Sequence, residues 1–328
     1  MTRAARPWLW PLVPAYRLAL ALREFQLQAG LKPVRRLRRP VVSVGNLSAG
    51  GAGKTPLTIA LAKALAARGM QVDVLSRGYG RRSTLPLSVD PAGTAEEFGD
   101  EPLVIAREAQ VPVYVAAERY EAGLLAERDA HADFGLHLLD DGFQHRQLHR
   151  DVDILLLSSR DLSDHLLPAG NLREALRAAE RASVFAIPAD QPEVAKWARS
   201  RGFEGAVWRV RRRMEVPHID GPVVAFCGIA RPEQFFQGLE SAGVQLAASV
   251  AFPDHHSYTA GDLERLTSAA RQANVAALLT TEKDRVRLGA LAASLPPSFP
   301  LKTVPLCIEI EDEAEAIIGL LVRVRSQR

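Results

Sequence analysis

The chain is 328 residues long, 47% hydrophobic and 24% charged, a globular balance with apolar material for about two domains at roughly 150 residues each. That excludes disordered, collagen-like and coiled-coil proteins, and no uninterrupted apolar run reaches the ~18 residues of a membrane-spanning helix. The net charge of +3 hides an asymmetry: residues 1–40 carry nine basic side chains (Arg3, Arg6, Arg17, Arg23, Lys32, Arg35, Arg36, Arg38, Arg39) against one acid, Glu24, leaving 32 basic and 37 acidic residues in the body.

A basic leader on a mildly acidic body argues against a nucleic-acid-wrapping protein, which needs a basic face on the body itself; it points to an anionic surface met at one end. Residues 7–14 are apolar but broken by Pro7, Pro11 and Pro14. From Ala15 a helical period sets in, with Leu18, Leu22, Phe25 and Ala29 on one stripe. Trp8, Trp10 and Tyr16 suit headgroup depth and the arginines suit lipid phosphates, so the leader reads as an interfacial anchor; a helix packed on its own domain is the alternative.

Past Pro40, strands predicted over 41–44, 72–75, 111–115, 136–139, 152–157 and 183–187 alternate with helical patterns, the first helix running over 54–68 and ending at Gly69. Such alternation implies α/β architecture with a doubly wound parallel sheet. The run AVWRVRRRMEVPHI reads as an extended linker or hairpin over 206–220. A smaller α/β domain follows over 221–328, with strands over 223–227, 244–252, 276–280 and 301–308, helices over 232–242 and 260–272, and a closing helix over 313–324. The expected division is therefore a membrane-contact segment (1–40), a first α/β domain (41–205), a linker (206–220) and the smaller domain. Cys227 and Cys307 lie in apolar strand-like runs, too few for a disulfide framework, and suit a reducing compartment.

Between the first strand and helix lies Ser48-Ala49-Gly50-Gly51-Ala52-Gly53-Lys54-Thr55, the context in which a glycine-rich run is a phosphate-binding P-loop. Its N–H groups curl around phosphate oxygens, Lys54 reaches the β- and γ-phosphates, and the Thr55 hydroxyl ligates magnesium. Only Ser48, where the pattern has glycine, departs. The strand over 136–139 ends in Asp140-Asp141, placing carboxylates at a strand's carboxyl end for the metal, with either residue open as the direct ligand. A GTPase base reader is missing its lysine position in Thr281-Glu282-Lys283-Asp284, and Ala49 stands where a partition ATPase carries its lysine. A kinase with a closing second domain remains, with Gly99-Asp100-Glu101-Pro102 in the first domain and Phe252-Pro253-Asp254-His255-His256 in the second.

Val44-Gly45-Asn46-Leu47 with its loop, Ser76-Arg77-Gly78-Tyr79-Gly80, Gly99-Asp100-Glu101-Pro102, Asp140-Asp141-Gly142-Phe143-Gln144-His145, Leu167-Pro168-Ala169-Gly170-Asn171-Leu172-Arg173-Glu174, Asp254-His255 and Thr281-Glu282-Lys283-Asp284 follow in order. This set resembles the tetraacyldisaccharide 4′-kinases, the lipid A 4′-kinases of Gram-negative bacteria, from the leader to Asp284, Ser48 included. The resemblance implies a P-loop kinase that uses ATP and Mg2+ to phosphorylate the 4′-hydroxyl of a tetraacylated glucosamine disaccharide 1-phosphate. It implies work at the cytoplasmic face of the inner membrane, peripherally bound, with no obligate protein partner. It also implies Asp100 as general base with His255 oriented against it, both acting with Lys54. Arg77, Tyr79, Arg119, Gln144 and Arg173 are candidates for phosphate or sugar, and Glu174 for tuning the metal.

Overall fold

The computed structural model describes residues 6–130 and 135–327; Met1 and Arg3 of the leader lie outside the described residues. Val41–Asn46 is buried at every position, as are Val72–Ser76, Leu136–Asp140 and Val152–Leu156, the near-continuous apolar text that a parallel sheet covered on both faces requires. In chain order the strands are β1 (Val41–Asn46), β2 (Val72–Ser76), β3 (Leu87–Ser88), β4 (Val113–Val115), β5 (Leu136–Asp140), β6 (Val152–Leu156) and β7 (Val184–Pro188). Then come β8 (Ala206–Met214), β9 (Val223–Cys227), β10 (Leu246–Ala251), β11 (Ala277–Thr281), β12 (Leu301–Val304) and β13 (Leu306–Ile310).

They form a nine-stranded sheet in the order β13-β8-β7-β6-β1-β5-β2-β4-β3 and a four-stranded sheet in the order β10-β9-β11-β12. The large sheet is parallel except for β3 against β4 and β13 against β8, and the small one is parallel throughout. This is the doubly wound α/β architecture of P-loop proteins. The helix Lys54–Ala66 covers one face through Leu57, Leu61 and Leu65, spaced four apart and fully buried. The small sheet has its own core, in which Phe226 meets Phe252 and Tyr258 edge-on.

Three expectations need correction. Residues 206–214 are no linker: Trp208 and Val210 of β8 face the core, while Arg209, Arg211 and Arg213 form an outer ladder with Glu311, just past β13, and Glu309 of β13, at 3.2, 2.8 and 3.2 Å. The strand expected over 301–308 is two strands in different sheets, switching at Pro305. The closing helix, Glu313–Ser326, packs Ile317, Leu320 and Val324 into the large sheet's core, so the end of the 221–328 stretch belongs with the first sheet.

In the leader, a 3-10 turn (Pro7–Leu12) leads into the helix Val13–Gln28. One face is docked: Val13, Tyr16 and Leu20 join a core with Leu47 and Phe143, and Tyr16 donates to the Arg173 carbonyl at 2.8 Å. The other face is bare, with Trp8 75%, Leu18 70% and Phe25 60% exposed, alongside Trp10, Leu12 and Leu22. Packing and exposure thus coexist on one helix. Among the described residues, no helix is long and apolar enough to cross a membrane.

Candidate active site at the facing strand ends

In the register of the large sheet, Val44 of β1 stands beside Asp140 of β5, so the loop after β1 and the acids after β5 emerge side by side. Gly50, Gly51 and Gly53 take φ of +84°, +36° and +93°, values at which a side chain is strained, and these let the loop turn before the helix starts at Lys54. Lys54 Nζ is held by Asn46 Oδ1 at 3.1 Å and by Asp141 Oδ1 at 3.5 Å, and Thr55 is buried in the first helical turn.

The two acids diverge in environment. Asp141, at φ +49°, is bound by Arg173 at 2.9 and 3.0 Å; burial opposes its ionisation, but Lys54 and Arg173 bring its pKa below the ordinary value. Asp140 is fully buried, accepts from Thr58 Oγ1 at 3.0 Å, and is raised to about 7 by burial and then by the charges of Glu101 and Asp141. A buried acid beside other acids is a group a cation would relieve. Gln144 bridges Arg173 (3.3 Å) and the Asn46 carbonyl (2.9 Å). Glu174 Oε2 pairs with Arg181 at 2.7 Å, while its buried Oε1 has no hydrogen-bond partner and lies 4.0 Å from Arg23.

Arg119 is buried with Nε unpartnered, and burial followed by repulsion from Arg77 brings it to about 10. Nearby His145 is driven to about 3 by burial, Arg119 and Arg150, and so stays neutral in a cationic neighbourhood. Exposed Tyr79 lies with its ring centroid 5.2 Å from that of His255.

Asp100 opens the helix Asp100–Ala109 after Gly99, whose φ of +90° and contact with Gly78 leave no room for a Cβ. The acid is 5% exposed. Opposite it stand the carboxyl ends of the small sheet: the loop after β10 delivers His255, and the helix Glu282–Leu288 after β11 delivers Lys283 and Arg287. His255 Nδ1 is 3.2 Å from Asp100 Oδ2, Arg287 Nε is 2.8 Å from the same oxygen with Nη2 also bonded to it, and Lys283 meets Glu101 at 2.5 Å. Burial works against the Asp100 charge, yet His255, Arg287 and Lys283 together hold its carboxyl far below the usual range. His255 is correspondingly raised, first by its bond to Asp100. Arg287 is aimed by Asp284, whose Oδ1 takes Arg287 Nη1 (3.1 Å), Tyr258 Oη (3.0 Å) and Gly228 N (3.0 Å).

Beside the P-loop, a cavity of about 640 Å3 opens at the carboxyl ends of β6, β7 and β8, bounded by Gln191, Arg212 and, from the second unit, Arg231. Arg212 donates to the Ala52 carbonyl, and the Arg231 stem stands 3.4 Å from where a Gly51 Cβ would be. Neither arginine was singled out by the sequence pattern, nor was Arg287. The spacing of Lys283 and Arg287, four apart on one helix face, against adjacent Asp100 and Glu101 was the signal for the latter.

The chain matches, over residues 5–323, the family described as tetraacyldisaccharide-1-P 4′-kinase. It belongs to that family. The tetraacyldisaccharide 4′-kinase of Koribacter versatilis is 40% identical, over 97% of this chain and 99% of its own, and that of Polaromonas naphthalenivorans is 37% identical over 98% and 94%. The crystal structure of LpxK from Aquifex aeolicus in complex with ATP superposes with a TM-score of 0.75 at 31% identity, covering 97% of this chain and 99% of that one. This tetraacyldisaccharide 4′-kinase family member is thus an ATP-dependent phosphotransferase with an alcohol acceptor, active in lipid A synthesis.

Proposed function

We propose that this kinase transfers the γ-phosphoryl group of ATP to the 4′-hydroxyl of a tetraacylated glucosamine disaccharide 1-phosphate, with Asp100 as general base, at the cytoplasmic face of the inner membrane. The observation that carries the assignment of the base is the meeting of Asp100, at a helix start of the first unit, and His255 of the second at 3.2 Å. The triphosphate lies in the loop 48–55 against Lys54, and the nucleoside takes the neighbouring cavity, where Arg212 and Arg231 flank the polyphosphate. Burial and the nearby Arg160 lower the pKa of Arg231, a strained positive cluster that an anion relieves. The acceptor enters past Tyr79, with Arg77, Arg119, Gln144 and Arg173 toward its phosphate and sugar.

The acceptor oxygen attacks the γ-phosphorus as the bond to the β–γ bridging oxygen breaks. The electron pair of that bond leaves with ADP, and the hydroxyl proton passes to Asp100. Oxygen donors of Thr55 and Asp140 fit Mg2+, which is held by one or two carboxylates plus substrate phosphates rather than by an all-protein cage. Held by Thr55 and Asp140, the ion would supply charge neutralisation to the triphosphate. The bare leader face, with Arg17 exposed on the same helix, rests on anionic headgroups and brings the lipid acceptor to the site.

Incubation with γ-labelled ATP, Mg2+ and the disaccharide 1-phosphate in detergent micelles tests the reading: label moves into lipid. Lys54→Ala should lower that rate by at least ~10³-fold, because the transferring group loses its buried counter-charge. More than a tenth of the wild-type rate in that variant would overturn the assignment of the P-loop.

A further inference from the structure

Asp100 is more crowded than a two-residue catalytic pair requires. Three nitrogens of two side chains crowd its Oδ2: Arg287 Nε at 2.8 Å and Nη2 donate to it, and His255 Nδ1 lies 3.2 Å away. Its Oδ1 takes a single donor, the Glu101 backbone N–H at 2.8 Å. A carboxylate oxygen offers about two lone-pair directions, so Oδ2 is filled and Oδ1 keeps one free.

Arg287 is itself fixed. Its side chain is almost wholly buried, Nη1 donates to Asp284 Oδ1 at 3.1 Å and to the Gly228 carbonyl at 2.5 Å, and Nη2 stands 3.2 Å from His255 Nδ1. The guanidinium thus touches both members of the pair and the loop after β9, using its fork in two directions. A lysine ammonium, a single point of charge, could not span them.

We propose that Arg287 is a positioning residue of the phosphoryl transfer: reaching from the small sheet, it claims Asp100 Oδ2 together with His255 and turns the free lone pair of Oδ1 toward the acceptor hydroxyl. The role rests on the reading of Asp100 as general base.

The charges facing Asp100 come from every element around it. Arg287 and Lys283 lie on the helix Glu282–Leu288, with Asp284 behind them; His255 and Asp254 lie on the loop after β10; Glu101 belongs to Asp100's own helix. Of these, His255 and Arg287 both touch Asp100 directly, and Arg287 is the contact that keeps its charge at every working pH. Without it, Asp100 should take up a proton at higher pH and be free to rotate.

The test is the pH dependence of kcat and KM for the full chain with Mg–ATP and the disaccharide 1-phosphate in micelles. Arg287→Gln should lower kcat by roughly 10–100-fold through misalignment, leave KM for ATP within about threefold, and move the acid limb of the rate profile to higher pH. Arg287→Lys, which returns the charge but not the fork, should restore the limb and recover only part of kcat. Adding Arg287→Gln to Asp100→Asn should cost little more, since Arg287 acts through that carboxylate. An unmoved acid limb with equal losses in the Gln and Lys variants overturns the proposal, as do additive losses in the double variant. If the Gln variant does not fold by its thermal melt, the Lys variant decides alone, and a wild-type rate in it overturns the proposal. Asp100→Asn alone reports separately on the base: a near-wild-type rate there sinks that assignment, whereas its loss with an unmoved limb in Arg287→Gln sinks only the role of Arg287.

Discussion

At the scale of single residues, two buried ionic clusters do different work on the same strand, β5. At its carboxyl end Asp140 is raised by burial and by the neighbouring acids Glu101 and Asp141. Three residues earlier His137 is fully buried, with Nδ1 2.6 Å from Asp73 Oδ1 and Nε2 3.6 Å from Glu127 Oε1, while Arg39 reaches Asp73 at 3.5 Å. Burial opposes the His137 charge, but the two carboxylates win and raise its pKa; Glu127, also resisted by burial, is held at about 2 by His137, the Arg39 N–H and Arg38. A raised histidine stabilises the fold fully below its unfolded pKa of ~6.5, and that contribution fades as pH rises through the folded value. The lowered Glu127 contributes above ~4.3 and fades as pH falls toward its folded value. Thermal melts should therefore decline from near-neutral pH upward and again in acid. His137→Gln should flatten the alkaline decline, and an unchanged alkaline slope in that variant rules the pair out as its source.

At the scale of elements, the leader helix tests what its bare face is for. Asp substituted at Leu18, Leu22 and Phe25 leaves the docked face, with Val13, Tyr16 and Leu20, untouched. The triple variant should lose binding to anionic lipid vesicles and use the lipid acceptor poorly, with affinity for ATP close to wild type. High salt should release the wild-type protein only partly, because screening acts on the arginines and not on the apolar face. Vesicle binding equal to wild type in the triple variant would leave the exposed stripe unexplained.

The same scale shows what the amino-acid text could reveal. The central strands were legible because burial on both faces leaves continuous apolar runs, and the P-loop because glycines and Lys54 sit between strand and helix. β8 was not, since alternating arginines look solvent-bound until Glu309 and Glu311 arrive from about a hundred residues away. The break at Pro305 was hidden for a similar reason: both flanking segments, LKTV and LCIEI, suit a strand, and only the sheets distinguish them. In the site, Asp100, His255 and Asp140 were readable from motifs. Arg287 and Arg231 were not, because their meaning lies in a partner brought across the cleft by the fold.

At the scale of the whole molecule, the two sheets face one another across a cleft, and the loops and helix starts there hold the groups assigned to the chemistry. The small sheet is inserted between β8 and β13 of the large one, so the chain crosses between them twice. The crossings are tied together, with Glu215 N donating to the Pro305 carbonyl at 2.9 Å. Across this paired strap His255, Lys283 and Arg287 of the small unit meet Asp100 and Glu101 of the large one as a set.

That insertion also sets an order of synthesis. β13 and the helix Glu313–Ser326 leave the ribosome after the whole intervening unit, so the P-loop sheet stays without its outer strand and part of its cover while the small sheet is already free to fold. Until then Trp208, Val210 and the arginine ladder of β8 form an open edge, hazardous for pairing with other chains. Removing residues 306–328 should freeze the protein at that stage: in hydrogen exchange, the amides of β7 and β8 should lose protection by orders of magnitude while those of β9 and β11 keep theirs. Equal protection across both sheets in the shortened chain would show that the late segments are dispensable to the nascent nucleotide-binding unit.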